Sequence, residues 1–80
     1  NTDTSNVYLP MRFKVELYMN ESYVTNYFPT LFTLQRFISA TFPMLQVDIF
    51  DTYKTVRNKV NRYIKALNTS NWCHIASYQY

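Results

Sequence analysis

The sequence predicts an α+β domain in which two helices pack on a small, mainly antiparallel sheet. Residues 11–19 alternate between apolar and polar side chains, which is typical of a strand with one buried face. Residues 52–67 instead repeat apolar side chains at intervals of three and four, the period of an amphipathic helix. At 80 residues the core is modest, so we expect one domain over residues 11–80. Residues 1–10 carry no such period and are predicted to be a flexible arm or an expression remnant.

The first half of the domain is predicted to begin with a hairpin. In the first strand, one set of alternate side chains points towards the core: Phe13, Val15, Leu17 and Met19. The intervening positions form a solvent-exposed face: Arg12, Lys14, Glu16 and Tyr18. Asn20 and Glu21 favour a turn, and residues 22–28 are rich in Tyr, Val and Thr, so they are expected to return as a second strand.

An apolar helix is predicted next, over residues 30–42. Pro29 suits the first helical turn, and the helix is expected to end before Pro43. Its core stripe is Leu31, Leu34, Ile38 and Phe42. Because Arg36 is its only charge, we expect the sheet, the second helix or another subunit to cover most of this helix. The alternation of Leu45, Val47 and Ile49 then suggests a short strand, although the segment is too short to exclude a helix.

The second helix is the clearest element of the sequence. Its apolar stripe is Val56, Val60, Tyr63, Ile64 and Leu67. Asp51 or Thr52 is suited to the N-cap, and Asn68 begins a run of small polar residues that favours a stop. Residues 72–80 are β-prone and predict a final strand, with Cys73 and Ile75 on one face and Trp72, His74, Ala76 and Tyr78 on the other.

The charge distribution supplies the main functional signal. Residues 1–51 contain three basic and five acidic side chains, whereas residues 52–80 contain five basic and none acidic. At about 100° per residue, one set of polar side chains lies opposite the apolar stripe of the second helix. These residues define the basic face: Lys54, Asn58, Asn61, Arg62 and Lys65. Arg57 and Lys59 lie at its two boundaries. A basic surface without carboxylates attracts polyanions.

A local resemblance makes this prediction more specific. The run Thr55-Val56-Arg57-Asn58-Lys59-Val60-Asn61-Arg62, continuing through Ile64 and Leu67, resembles the recognition helix of winged helix-turn-helix DNA-binding domains. The resemblance implies that fold as an alternative class. It also implies that Lys54, Thr55, Arg57 and Asn58 face the major groove, with Asn61, Arg62 and Lys65 near phosphates. Arg presents a bidentate fork to guanine and Asn a donor and acceptor to adenine, while Lys mainly supplies charge.

Other chemistries find little support. The absence of glycine argues against a phosphate-binding glycine loop. Cys73 and His74 are neighbours in a strand and point to opposite faces. Helix capping and solvation at a strand end explain Asp48 and Asp51 without a metal. We therefore expect no enzyme activity, cofactor, metal site or small-molecule substrate. A single cysteine and the lack of a long apolar run favour a reducing cytoplasmic setting without a membrane.

The leading functional hypothesis is a DNA-binding domain of a regulator or replication initiator, from a phage or mobile element. A homodimer would present two copies of the basic helix to a symmetric site. The competing hypothesis is a small phage-type inhibitor or interaction module that docks a basic face on an acidic partner. The eight tyrosines fit stacking on unpaired bases, although such residues more often form core edges or subunit interfaces.

Overall fold

The computed structural model describes residues 10–78 and contains two helices packed on one face of a three-stranded antiparallel sheet. In chain order the elements are β1 (Phe13–Met19), β2 (Ser22–Phe28), α1 (Leu31–Thr41), a 3₁₀ turn (Pro43–Leu45), α2 (Tyr53–Leu67) and β3 (Trp72–Ser77). The strand order is β2-β1-β3, so β1 is central. The predicted α+β class is confirmed, whereas residues 1–9, expected to form an arm, lie outside the described residues.

The β1–β2 hairpin turns at Asn20 and Glu21, as predicted. Both residues have positive φ values, 53° and 66°, which is the backbone of a two-residue turn that suits the twist of a hairpin. Asn20 also donates its backbone N–H to the Asn71 side chain at 3.0 Å, which ties the turn to the segment before β3. In a chain without glycine, these left-handed positions are occupied by polar side chains instead.

The core lies between the inner face of the sheet and the two helices. Phe13, Val15 and Leu17 of β1 are buried, and Ile75 of β3 lies opposite Val15. The helices bury a matching set: Leu34, Ile38, Phe42, Val56, Val60 and Ile64. The predicted stripes are thus largely confirmed. Leu67, the last helical residue, is exposed, so the buried stripe of α2 ends before the helix does.

Each helix begins at a threonine cap. The side chain of Thr30 accepts the backbone N–H of Thr33 at 3.1 Å, so Pro29 precedes the cap and the prediction that it opens the first turn was wrong. Thr52, one of the two predicted caps, accepts from Thr55. Asn68 ends α2 in a left-handed conformation, with φ of 53°, in agreement with the predicted stop.

The predicted strand over residues 45–50 is wrong. Pro43 begins a 3₁₀ turn, and Gln46 then adopts a left-handed conformation that redirects the chain. The Asp48 carboxylate accepts the backbone N–H of Phe50 at 2.8 Å, and the buried Gln35 side chain donates to the carbonyls of Asp51 and Ile49 at 2.7 and 3.4 Å. Side chains thus form hydrogen bonds with backbone groups that, in a strand, would be bonded to a neighbouring strand.

Candidate nucleic-acid interface

The basic face of α2 is directed away from the sheet. Its five residues, Lys54, Asn58, Asn61, Arg62 and Lys65, are all exposed. Within residues 10–78 none of their side chains has a hydrogen-bond or ion-pair partner. Burial of Val56, Val60 and Ile64 fixes this orientation, because those residues lie on the opposite side of the helix. The face therefore presents three cations and two amides with unused hydrogen-bonding capacity.

Lys59, at one boundary, is engaged within the chain. Its Nζ lies 2.7 Å from an Asp51 carboxylate oxygen and 3.2 Å from the Gln46 carbonyl. The hydrogen bond from Lys59 is the main reason that the pKa of Asp51 is lowered. This pair neutralises one of the five charges of α2, so Lys59 is a weaker candidate for phosphate contact than the sequence suggested.

Arg57, at the other boundary, rests on an aromatic ring. Its guanidinium carbon lies 5.2 Å from the ring centroid of Tyr53, and one of its nitrogens donates to the Tyr53 hydroxyl at 3.4 Å. That hydroxyl in turn donates to the Ile75 carbonyl at 3.0 Å, which links α2 to β3. Arg57 has no carboxylate partner among residues 10–78. Its charge is held at the margin of the basic face.

Thr55 is half-buried, and its backbone N–H and hydroxyl are hydrogen-bonded to the Thr52 side chain in the helix cap.

A hollow of about 380 Å³ adjoins the basic face. It lies between the 3₁₀ turn and α2 and is lined by Met44, Leu45, Lys59, Arg62 and Tyr63. Two cations thus border an apolar surface, an arrangement suited to an anionic group that carries a planar or apolar part. The helical periodicity placed Tyr63 in the core, and nothing in the sequence linked Met44 to this helix.

The outer face of the sheet forms a second polar and aromatic surface, which the sequence indicated only through its alternation. Glu16 lies at its centre, where the Tyr23 hydroxyl donates to one carboxylate oxygen at 2.6 Å. His74 Nδ1 lies 3.4 Å and Lys14 Nζ 3.6 Å from the other oxygen. The Tyr23 hydrogen bond, followed by the His74 contact, lowers the pKa of Glu16. Glu16 is therefore an ionised acceptor at neutral pH.

The remaining reactive side chains are dispersed. Cys73 faces the core side of β3, opposite Leu17, while His74 lies opposite Glu16 on the outer face. Burial raises the pKa of the Cys73 thiol to about 12. Asp48 and Asp51 serve the turn before α2, and Glu16 lies on the other side of the sheet. In the described part of the chain, no three His, Cys, Asp or Glu side chains are grouped as metal ligands.

Comparison with known proteins assigns no family. No protein-family model, curated protein or solved structure matches this chain. Among residues 10–78, no helix combines the length and apolar character required to cross a bilayer. The resemblance of α2 to a recognition helix stays a prediction, and functional inference depends on the surfaces described above.

Proposed function

We propose that this domain binds double-stranded DNA through the basic face of α2. The observation that carries the proposal is the set of three exposed cations, Lys54, Arg62 and Lys65, on a helix that contains no acidic residue. Surface lysines and arginines in most domains are interspersed with carboxylates, whereas these have none within ion-pair distance among residues 10–78. Such a surface favours the dense negative charge of a nucleic-acid backbone.

The dimensions of α2 are compatible with contact along a groove. Lys54 and Lys65 are separated by eleven residues, or about 16 Å along the helix axis at about 1.5 Å per residue. A helix about 10–12 Å in diameter is comparable to the major groove, which is about 12 Å wide. The two ends would then contact phosphates and release counterions, while Asn58 and Asn61 between them offer the amide pattern that reads adenine.

Self-association would strengthen this binding. A hollow of ≈ 400 Å³ between α1 and residues 47–49 is bordered by Phe32 and Ile49, and the neighbouring Phe50 is 86% exposed. Arg36 and Asp48 also line it, and neither has an oppositely charged partner among residues 10–78. A two-fold contact would let each Arg36 face Asp48 of the partner subunit while Phe50 is buried. A homodimer would double the number of phosphate contacts.

Exposed apolar side chains near the basic face favour a second candidate function, a protein-interaction module. Met44 is 74% exposed and Ile49 63% exposed, and Met44 adjoins Arg62 in the hollow beside the basic face. A basic face with an exposed apolar side chain at its margin would suit an acidic protein partner with an apolar anchor. In that case DNA affinity would be weak and insensitive to the charges of α2.

A pair of triple variants separates the two candidates. The first carries Lys54→Ala, Arg62→Ala and Lys65→Ala on α2. The second replaces with alanine the three basic residues that lie outside α2, Arg12, Lys14 and Arg36, and therefore makes the same change in net charge. Gel-shift assays with a random duplex should show at least a tenfold loss for the first variant and a much smaller loss for the second. Equal losses, or no duplex binding by the wild type, would refute the proposal.

A further inference from the structure

The outer face of the sheet carries an unusual number of aromatic side chains. We call five of them the aromatic face: Tyr18 of β1, Tyr23 and Tyr27 of β2, Trp72 of β3, and Tyr78 just after β3. No element among residues 10–78 covers this side of the sheet, since both helices pack on the other. Tyr27 is 54% exposed, Tyr23 53% and Trp72 42%. These rings are therefore available to a ligand.

The rings at the hairpin end are held in place by one another. Tyr18 and Trp72 lie in register on neighbouring strands, with their planes 14° apart and their centroids separated by 6.2 Å. Tyr23 approaches the same indole at 5.9 Å. Its hydroxyl donates to Glu16 and accepts from Thr25 at 2.9 Å. Rings fixed in this way lose little conformational freedom when a ligand stacks on them.

A second aromatic group lies towards the other end of β1. Tyr27 is directly opposite Lys14, and the backbone N–H of Tyr78 donates to the Arg12 carbonyl at 2.7 Å. Lys14 and Tyr18 are four residues apart, so the two groups are separated by about 13 Å at about 3.3 Å per residue. Bases stacked in a duplex are separated by only about 3.4 Å per nucleotide, and each base covers the faces of its neighbours. Only an extended strand with unpaired bases could place a base on each group.

The charges of this surface suit the same ligand. Lys14 lies opposite Tyr27, and Arg12 is paired with Tyr78 through the backbone. Arg12 has no carboxylate partner among residues 10–78. These two cations place positive charge next to rings that can stack, the combination found in proteins that bind single strands. Among the residues of this face named above, Glu16 is the one carboxylate. Its oxygens already contact Tyr23, His74 and Lys14. A phosphate backbone would therefore follow the Arg12 end of the sheet.

We propose that the aromatic face binds single-stranded nucleic acid by stacking unpaired bases on its two groups of rings. This site lies on the opposite side of the sheet from α2 and is distinct from the proposed duplex contact. The two surfaces would let one domain hold a duplex and an adjacent unpaired strand. Neutral sugars also stack on aromatic rings, but they gain nothing from Arg12 and Lys14, so the positive charge favours a polyanion.

The chain contains its own reporter for this site, because Trp72 is its only tryptophan. Selective excitation of Trp72 during titration with single-stranded oligothymidine should show saturable quenching. A duplex of the same length should quench far less, since its base faces are covered. The α2 triple variant should keep the quenching, which separates this site from the proposed duplex contact.

Variants of Tyr27 test the stacking directly. Tyr27→Ala should weaken oligothymidine binding by about 5- to 150-fold, the range measured for one stacked base. Tyr27→Phe keeps the ring and should bind within about twofold of the wild type. Circular dichroism confirms that each variant is folded. Absence of quenching, equal quenching by the duplex or by a neutral oligosaccharide, or unchanged affinity in Tyr27→Ala would overturn the proposal.

Discussion

Substitution of Val60 by alanine should destabilise the domain strongly. Val60 is fully buried on α2 and belongs to the cluster formed by the helices and the inner face of the sheet. Removing two methyl groups costs about 1.6 kcal/mol at about 0.8 kcal/mol per group, and the cavity left behind adds up to about 1 kcal/mol. The expected loss is therefore about 1.6–2.6 kcal/mol. A domain of 80 residues has a total stability of roughly 4–12 kcal/mol.

Urea unfolding followed by circular dichroism measures this loss. In thermal unfolding, a loss of stability of that size should lower Tm by roughly 6–20 °C in a domain of this length. Asn61→Ala is the matched control, because Asn61 is the next residue on the same helix and is exposed. It should change the free energy of unfolding by no more than about 0.5 kcal/mol. A silent Val60→Ala, or an equal effect from Asn61→Ala, would show that α2 does not face the sheet as described.

Two further predictions concern the turn before α2 and the hollow beside α1. Lys59→Met should raise the pKa of Asp51, since the hydrogen bond from Lys59 is the main cause of its lowered value; carbon-detected NMR titration measures it. Because a lowered carboxyl pKa contributes stability that is lost as pH falls below the ordinary value of 3.8, the variant should also lose less stability on acidification than the wild type does. An unchanged Asp51 titration would contradict the pairing. Phe50→Asp should convert a dimer to a monomer of 9.6 kDa in light scattering at tens of micromolar. Met44→Asp is the control and should remain dimeric. A wild type that is already monomeric would refute the proposed dimer.

Much of the fold could be predicted because its periods are strong and uninterrupted. The alternation in β1 and the three-and-four spacing in α2 each specify which side of the element is buried, and the register of the sheet follows from the short turn at Asn20 and Glu21. The segment 45–50 could not be predicted in this way. Its alternation is real, but a strand also requires a free neighbouring edge, and here Gln35 and Asp48 supply the backbone partners instead.

The candidate site was predictable to the same extent. Helical geometry was sufficient to find the exposed positions of the basic face, which depend only on which side of α2 is buried. The pairing of Lys59 with Asp51 and Gln46 was not predictable, because it depends on how the irregular turn returns towards α2. The aromatic face likewise becomes evident only when β2 and β3 are paired on either side of β1.

The salt dependence of duplex affinity tests the central claim most directly. Each phosphate neutralised by a cation contributes about −0.9 to the slope of log K against log salt concentration. If Lys54, Arg62 and Lys65 each contact one phosphate, the slope should be about −2.7 or steeper for the wild type. The α2 triple variant should lose about that amount, measured by fluorescence anisotropy across a salt series. A wild-type slope near zero, or an unchanged slope in the triple variant, would contradict DNA binding through α2.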